Sequence, residues 1–436
     1  VSVLGDLRVV AVHRDFRRLF AVRLVSQCGD GMFQIGLATL FFFAPERLTT
    51  AADVAAAFAV LLLPFTVVGP FAGPLLDRWR RRQVLLLGNA TRLVLTLVLA
   101  TLMVTVGVGP AVYVLALVTL GINRFLLAAL SAALPRVVPR EQLLMANTLT
   151  PTLGAVAAVV GAGLGLAIGF LVPAGPLEDG VVLAVAALLF GGASSLALRL
   201  GRDQLGPEQR SRHLREDLAA TVAELRDGAR QLVALRTPAH ALGVMGVHRF
   251  LYGVNFIALI LISRNLLSDP TDAAAGLAMF GLLTSISFAG NGLGILLTPL
   301  AHERMSPAAW VTLCLGLGAL SQVVLATSPA FGVVATAAVL LGLSVQGAKI
   351  AVDTIVQRAT DDGVRGRAFA LYDVLYNAAF VGAAALAAVA LPDSGWSRAV
   401  LVTLAVVYVL TAVAYRRAST RHEGALSAAA PPTDLA

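Results

Sequence analysis

Apolar residues run along this chain in long blocks, and the polar ones fall mostly in the short gaps between them. Crossing a bilayer takes about 20 apolar residues at 1.5 Å rise each. Twelve segments reach or approach that length: 19–43, 55–76, 84–106, 111–134, 143–172, 181–200, 239–261, 273–297, 308–326, 331–356, 368–391 and 399–415. Several contain Gly or Pro, which membrane helices tolerate because neighbouring groups satisfy the freed backbone. The boundaries near 172–180 and 392–397 are the least marked. Residues 201–238 differ, being both long and polar. Within them Leu214, Leu218, Val222, Leu225, Ala229 and Leu232 recur at three- and four-residue steps, the period of an amphipathic helix.

This pattern predicts an all-α polytopic membrane protein with twelve transmembrane helices in two pseudo-symmetric six-helix bundles. The bundles are 1–200 and 239–418. They are joined by 201–238, a cytoplasmic connector whose helix lies along the membrane surface. Residues 419–436 are expected to be a disordered cytoplasmic tail. A faint repeat supports the division: the second span ends Gly73-Pro74-Leu75-Leu76-Asp77-Arg78, and the eighth ends Thr298-Pro299-Leu300-Ala301-His302-Glu303. Paired halves with a site between them near the midplane are a transporter architecture.

Composition agrees with the pattern. Of 436 residues, 58% are hydrophobic and 13% charged, with a mean hydropathy of +0.83, outside the range of a soluble domain. Arginines set the orientation. With the N-terminus in the cytoplasm, that side receives Arg14, Arg17, Arg18, Arg78, Arg80, Arg81, Arg82, Arg136, Arg140, Arg304, Arg358, Arg365, Arg367, Arg416 and Arg417, together with the whole connector. The other side receives only Arg47, Arg264 and Arg398, so both termini are expected in the cytoplasm. The net charge of +8 follows from this bias and gives no basic soluble surface for nucleic acid. The near-total use of Arg over Lys, with abundant Ala, Val and Leu, points to a GC-rich bacterial genome and hence to a bacterial inner membrane. No cleavable signal peptide is expected, because the first apolar run is long and follows a charged stretch. Cys28 and Cys314 both fall within spans, which argues against a structural disulfide.

The loop after the second span carries the most specific signal. Gly73-x-x-x-Asp77-Arg78-x-Arg80-Arg81-Arg82 resembles the signature loop of the major facilitator superfamily, G-x-x-x-D-R-x-G-R-R/K, with Arg80 standing where that family has Gly. The resemblance extends over the whole chain through the 6+6 spans, the inside termini and the long central connector. It implies a gating loop made by Gly73, Asp77, Arg78, Arg81 and Arg82, with Asp77 accepting from a neighbouring helix N-terminus and the arginines facing acidic headgroups. Asp77 is expected to approach the start of the eleventh span, near 365–369, when the cytoplasmic side closes. Two weaker matches resemble the drug/proton antiporter branch. Arg124 with Ala128 and Ala129 is similar to its R-x-x-Q-G-x-x-A motif, although Gln and Gly are replaced. Gly154 with Gly161, Gly163 and Gly165 is similar to its glycine-rich motif, although the Gly-Pro pair is missing. Small residues at this spacing equally serve helix packing.

Charges inside the spans are the candidate chemistry, since an ionisable group in hydrocarbon is costly and marks a pathway or a partner. On the first span Arg23, Gln27, Asp30 and Gln34 share one helical face, and Asp30 lies about 16 Å along the helix from Leu19, near mid-bilayer. The tenth span repeats the pattern with Gln346, Lys349, Asp353 and Gln357; Lys349 is the only lysine in the chain. The seventh offers His248, Tyr252 and Asn255, and the fourth Asn123, Arg124 and Ser131. The resemblance implies that the first, fourth, seventh and tenth spans line a central cavity. The proton-coupling and substrate residues are then Asp30, Arg124, Gln27, Gln34, Asn123, Tyr252, Asn255, Gln346, Lys349 and Asp353. Asp30 is expected to be the proton-coupling carboxylate, or else a static partner of Arg124. Arg23, Arg92 and Arg249 lie nearer the helix ends and are expected to snorkel to the interface. Lys349 and Asp353, four residues apart, form either a static pair or a substrate contact.

Several classes are excluded. A phosphate-binding loop needs Lys followed by Ser or Thr, and the only lysine is followed by Ile350. No histidine pairs with His, Cys or carboxylate at metal-binding spacing, and no nucleophile–base arrangement recurs near one membrane face. No enzyme, cofactor or metal is expected. The expectation is a secondary active transporter, exporting a small amphipathic or drug-like solute in exchange for protons. Its partners are that small-molecule substrate, protons and the lipid bilayer, with no nucleic acid, and the chain is expected to be a monomer. A lipid-like or metabolite substrate moved by uniport or symport, and a transport-inactive receptor or scaffold, stay open.

Overall fold

The computed structural model describes residues 9–38, 50, 52, 76, 78–107, 109–169, 171–173, 175–206, 214–360 and 362–429. Among these residues the regular structure is helical throughout: α1 (Arg14–Ala38), α2 (Arg81–Thr105), α3 (Pro110–Ala133), α4 (Leu143–Ile168), α5 (Pro176–Ala197), α6 (Leu214–Ala234), α7 (Arg236–Asn265), α8 (Ala273–His302), α9 (Pro307–Thr327), α10 (Phe331–Ala359), α11 (Asp362–Ala390) and α12 (Arg398–Ala429). Ten of these helices are long and apolar enough to cross a membrane, namely α2 to α5 and α7 to α12. The eleventh, α1, matches them in length, but its 25 residues include four arginines and two aspartates. The expected second span, 55–76, lies outside the described residues except for Leu76. Hence α2 to α5 are the third to sixth expected spans, and α6 occupies the polar connector.

The helices outrun the apolar blocks that announced them. The sixth span, expected from residue 181, begins at Pro176 with Glu178 and Asp179 in its first turn. Pro suits the first turn because its missing N–H has no helical partner there, and acidic groups suit the positive end of the dipole. Ser306 accepts from the Ala309 amide at 3.3 Å and precedes Pro307 at the start of α9. Asp272 accepts from the Ala275 amide at 2.9 Å and starts α8. In the turn before it, the Thr271 hydroxyl and amide both donate to Asp269 and hold its carboxyl below the ordinary value. The helix α12 continues to Ala429, so 419–429, expected to be disordered, extends the last helix.

From residue 76 onward the two compact units divide at Thr221–Val222, inside α6. In the first, α1 packs on α4 and α5, and α2 packs on α3 and α5. The approach of α1 to α4 depends on glycine. A Cβ at Gly31 would strike the Ala158 carbonyl, and one at Gly161 would strike the Cys28 carbonyl. The glycines expected to mark an antiporter motif therefore include genuine packing positions, while Gly163 faces open space. In the second unit α10 packs on α8 and α9, α9 on α12, and α7 on α10 and α11. Exposed apolar side chains such as Phe288, Leu296 and Val389 suit helices whose outer surface meets hydrocarbon.

Candidate functional site

The deepest charges of the first unit are paired with each other. Asp30 of α1 forms an ion pair and hydrogen bond with Nη2 of Arg92 on α2. The Arg92 side chain is 0% exposed and that of Asp30 6%. Around them, Arg92 Nη1 donates to Ser26 Oγ at 3.4 Å, Ser26 donates to Asn89 at 3.0 Å, and Asn89 donates to the Leu85 carbonyl at 2.9 Å. The guanidinium carbon lies 3.7 Å from the centroid of the Phe190 ring on α5, and Asn123 of α3 is buried beside the same carboxylate. Four helices thus converge on one desolvated pair. A pair of this kind holds because neither charge has any other compensation available.

This corrects two expectations. Arg92 does not snorkel, and the partner of Asp30 is Arg92, not Arg124, which is half-buried on α3. Counting residues gives depth along a helix but not the direction in which a side chain leaves it. A usable signal was present on the third span, where Asn89, Arg92 and Thr96 recur at three- and four-residue steps and are all buried. Arg23 does not snorkel either: it is buried and donates to Gln27 at 2.9 Å, with Gly154 of α4 leaving room for the two side chains. Gln34, on the same face by spacing, is exposed.

Of the expected gating loop, Gly73 and Asp77 lie outside the described residues, as do the side chains of 365–367 and 369. The arginines that follow bind backbone carbonyls. Arg81 donates to the Ala132 and Leu205 carbonyls at 2.9 and 3.0 Å, and Arg82 to those of Ala197 and Leu198 at 3.3 and 3.2 Å. The Ala132, Ala197 and Leu198 carbonyls lie at the C-terminal ends of α3 and α5, where acceptors outnumber helical donors, and Leu205 lies in the turn that follows α5. Arg80, standing where the resembled loop has Gly, takes φ −60° and ψ 122°, a conformation open to any residue. Its ion pair with Asp203 at 2.6 Å is largely exposed and contributes little.

In the second unit Lys349 donates to Asp353 at 2.7 Å along α10, with the two side chains 38% and 25% exposed. Gln346, one turn earlier, is half-buried against Gly294 of α8. Because water screens the Lys349–Asp353 pair and Lys precedes Asp, the weaker order on a helix, we expect a coupling of no more than about 0.5 kcal/mol. A thermal double-mutant cycle with Lys349→Gln and Asp353→Asn checks this, and a coupling above about 2 kcal/mol would exclude a wet pair. On α7, His248 is buried between the Tyr408 hydroxyl at 3.0 Å and the Ser344 hydroxyl at 3.2 Å. Ser344 donates in turn to the Cys314 carbonyl at 2.6 Å. This network joins α7, α9, α10 and α12 and leaves His248 no free nitrogen. Among the described residues no group of His, Cys, Asp and Glu could hold a metal ion. Asn255 is buried and donates to the Leu251 carbonyl at 2.9 Å. With Tyr252 and Phe256 it lines a cavity of about 80 Å³ among α7, α8, α9 and α10.

Long apolar helices that bury charged pairs and polar networks in their interiors define a multi-pass membrane protein. No family model matches the chain. It is 37% identical over 388 residues to each of two proteins named as uncharacterized MFS-type transporters, Mb0038c of Mycobacterium bovis and Rv0037c of Mycobacterium tuberculosis, covering 87% of this chain and 86% of theirs. The crystal structure of a mutant of the nucleoside transporter NupG matches it with a TM-score of 0.66 at 15% identity, covering 92% of this chain and 99% of NupG. The chain belongs to the major facilitator superfamily. Its relatives are named as transporters, and it is a membrane transporter and not an enzyme.

Proposed function

We propose that the protein is a proton-coupled exporter of a small amphipathic solute, working as a monomer by alternating access in a bacterial cell membrane with both termini in the cytoplasm. The arginine distribution supports the orientation. The observation that carries the coupling is the buried Asp30–Arg92 pair. Asp30 is too enclosed to hold a solute itself, so a proton would act through packing. Protonating Asp30 removes the charge that fixes Arg92 and so loosens the junction of α1, α2, α3 and α5. Proton and solute then communicate as two sites linked by helix positions, and need not compete for one carboxylate. Lys349, Tyr252 and Asn255 offer polar groups to a solute from the second unit.

The test is transport in proteoliposomes with an imposed pH gradient, comparing the wild type with Asp30→Asn and with the neutral pair Asp30→Asn/Arg92→Gln. The double variant is expected to fold, since replacing both partners of a buried pair is often close to neutral, and it leaves no titratable carboxylate at this point. It is expected to lose uphill, pH-driven accumulation while retaining downhill exchange. If the folded double variant accumulates solute as well as the wild type does, Asp30 has no part in coupling.

A further inference from the structure

Among the described residues of the second unit, an enclosed cation on α7 has no acid at ion-pair distance. Arg249 of α7 lies with its guanidinium carbon 4.0 Å from the ring centroids of both Tyr376 and Phe380 on α11, and 5.1 Å from that of Tyr252. Its Nε is buried without a hydrogen-bond partner. Among the described residues no carboxylate comes within ion-pair distance of it: Asp353 is taken by Lys349, and Asp373 of α11 is exposed. Arg92, more deeply buried, has Asp30, and Arg23 has the Gln27 amide oxygen. Aromatic faces attract a guanidinium, and the Tyr376 side chain is a hydrogen-bond partner, but these neutral groups leave its charge unbalanced, and its planar fork of N–H groups matches a carboxylate two at a time.

The surroundings extend the argument to the rest of a ligand. Tyr252 and Phe256 follow Arg249 along one face of α7, and both touch Phe380, with centroids 5.8 and 5.9 Å away. The same Tyr252 and Phe256 line the cavity among α7 to α10, whose other polar groups are the neutral Asn255, Thr284, Ser287, Asn291 and Ser321. Among the described residues no acidic side chain lines it, so an organic cation would find no counter-charge there. We infer that Arg249 anchors a site for an amphipathic organic monoanion, a carboxylate on an aromatic or apolar body, with the head at the guanidinium and the body against Tyr252, Phe256 and Phe380. This names the solute class for the transporter proposed above and rests on that reading.

The test uses the full chain in nanodiscs, without any gradient, and measures binding of 1-naphthoate, 1-naphthamide and 1-naphthylmethylamine. Naphthoate is expected to bind at least tenfold more tightly than the amide, and the amine to bind more weakly still. Arg249→Gln should reduce the naphthoate preference to about onefold. Arg249→Lys should keep part of it, because an ammonium supplies charge without the planar fork. If Arg249→Gln fails to fold, the wild-type comparison and Arg249→Lys decide. Equal affinity for naphthoate and naphthamide, absence of naphthoate binding at millimolar concentration, or an undiminished preference in Arg249→Gln overturns the inference. Carboxylate preference without pH-driven flux would sink the coupling alone. Flux of neutral or cationic solutes without carboxylate preference would sink this site alone.

Discussion

Asparagine in place of Asp30 should destabilise the protein more than glutamine in place of Arg92, and the two changes together should do less harm than either. The pair is fully desolvated, with side chains 6% and 0% exposed, so water does not screen it as it does Lys349–Asp353. Breaking a buried pair by removing one partner costs about 3–5 kcal/mol, because a charge is left uncompensated, whereas replacing both is often close to neutral. The two single variants are not equivalent. A lone carboxylate can discard its charge by binding a proton, but a guanidinium keeps its charge at any accessible pH. The Asp30→Asn side chain also still offers Arg92 an amide oxygen, which softens the loss without balancing the charge. Thermal unfolding of the four proteins in one lipid or detergent gives the cycle. Losses that simply add would mean that the pair carries no interaction energy, and the coupling role proposed for it would fall with it.

The legible part of this molecule was the part governed by solvent. Long apolar blocks read as spans because hydrocarbon tolerates little else, and the step-three, step-four pattern of 214–232 emerges as α6. Helix ends were less legible, since charged residues such as Glu178 and Asp179 interrupt an apolar run without interrupting a helix. The polar face Asn89, Arg92 and Thr96 marked a candidate partner for Asp30, but the pairing itself depends on which way α1 and α2 face each other, a tertiary fact. Depth alone places Arg23, Arg92 and Arg249 at the interface, and the structure gives them an amide, a carboxylate and an aromatic enclosure respectively. The loop arginines illustrate the same limit. Their positive-inside bias was plain, but that Arg81 and Arg82 would satisfy carbonyls at the ends of α3 and α5 could not be read from one strand of sequence.

The second large effect is expected at the glycines between α1 and α4. Gly31 meets the Ala158 carbonyl and Gly161 meets the Cys28 carbonyl. Cys28 precedes Gly31 by three residues and Ala158 precedes Gly161 by three, so the contacts are reciprocal and about one turn apart. The obstructing atoms are backbone oxygens, which cannot rotate away as a side chain can. A methyl group at either position must therefore push the two helices apart, and overpacking of this kind costs about 1–3 kcal/mol. Leucine at Gly161 should leave little folded protein. Gly163 is the control: a Cβ there meets nothing within 4 Å, so Gly163→Ala should be neutral or stabilising by up to about 1 kcal/mol. Folded yield from size-exclusion chromatography, together with melting temperature, separates the cases. Equal stability of Gly161→Ala and Gly163→Ala would show that α1 and α4 do not approach as described. The same pair of variants also decides what the glycine-rich stretch of α4 is for. A Gly161→Ala protein that folds in full yield yet transports poorly would assign these glycines to helix movement during the cycle. Lost yield, with normal transport by the fraction that folds, would assign them to packing.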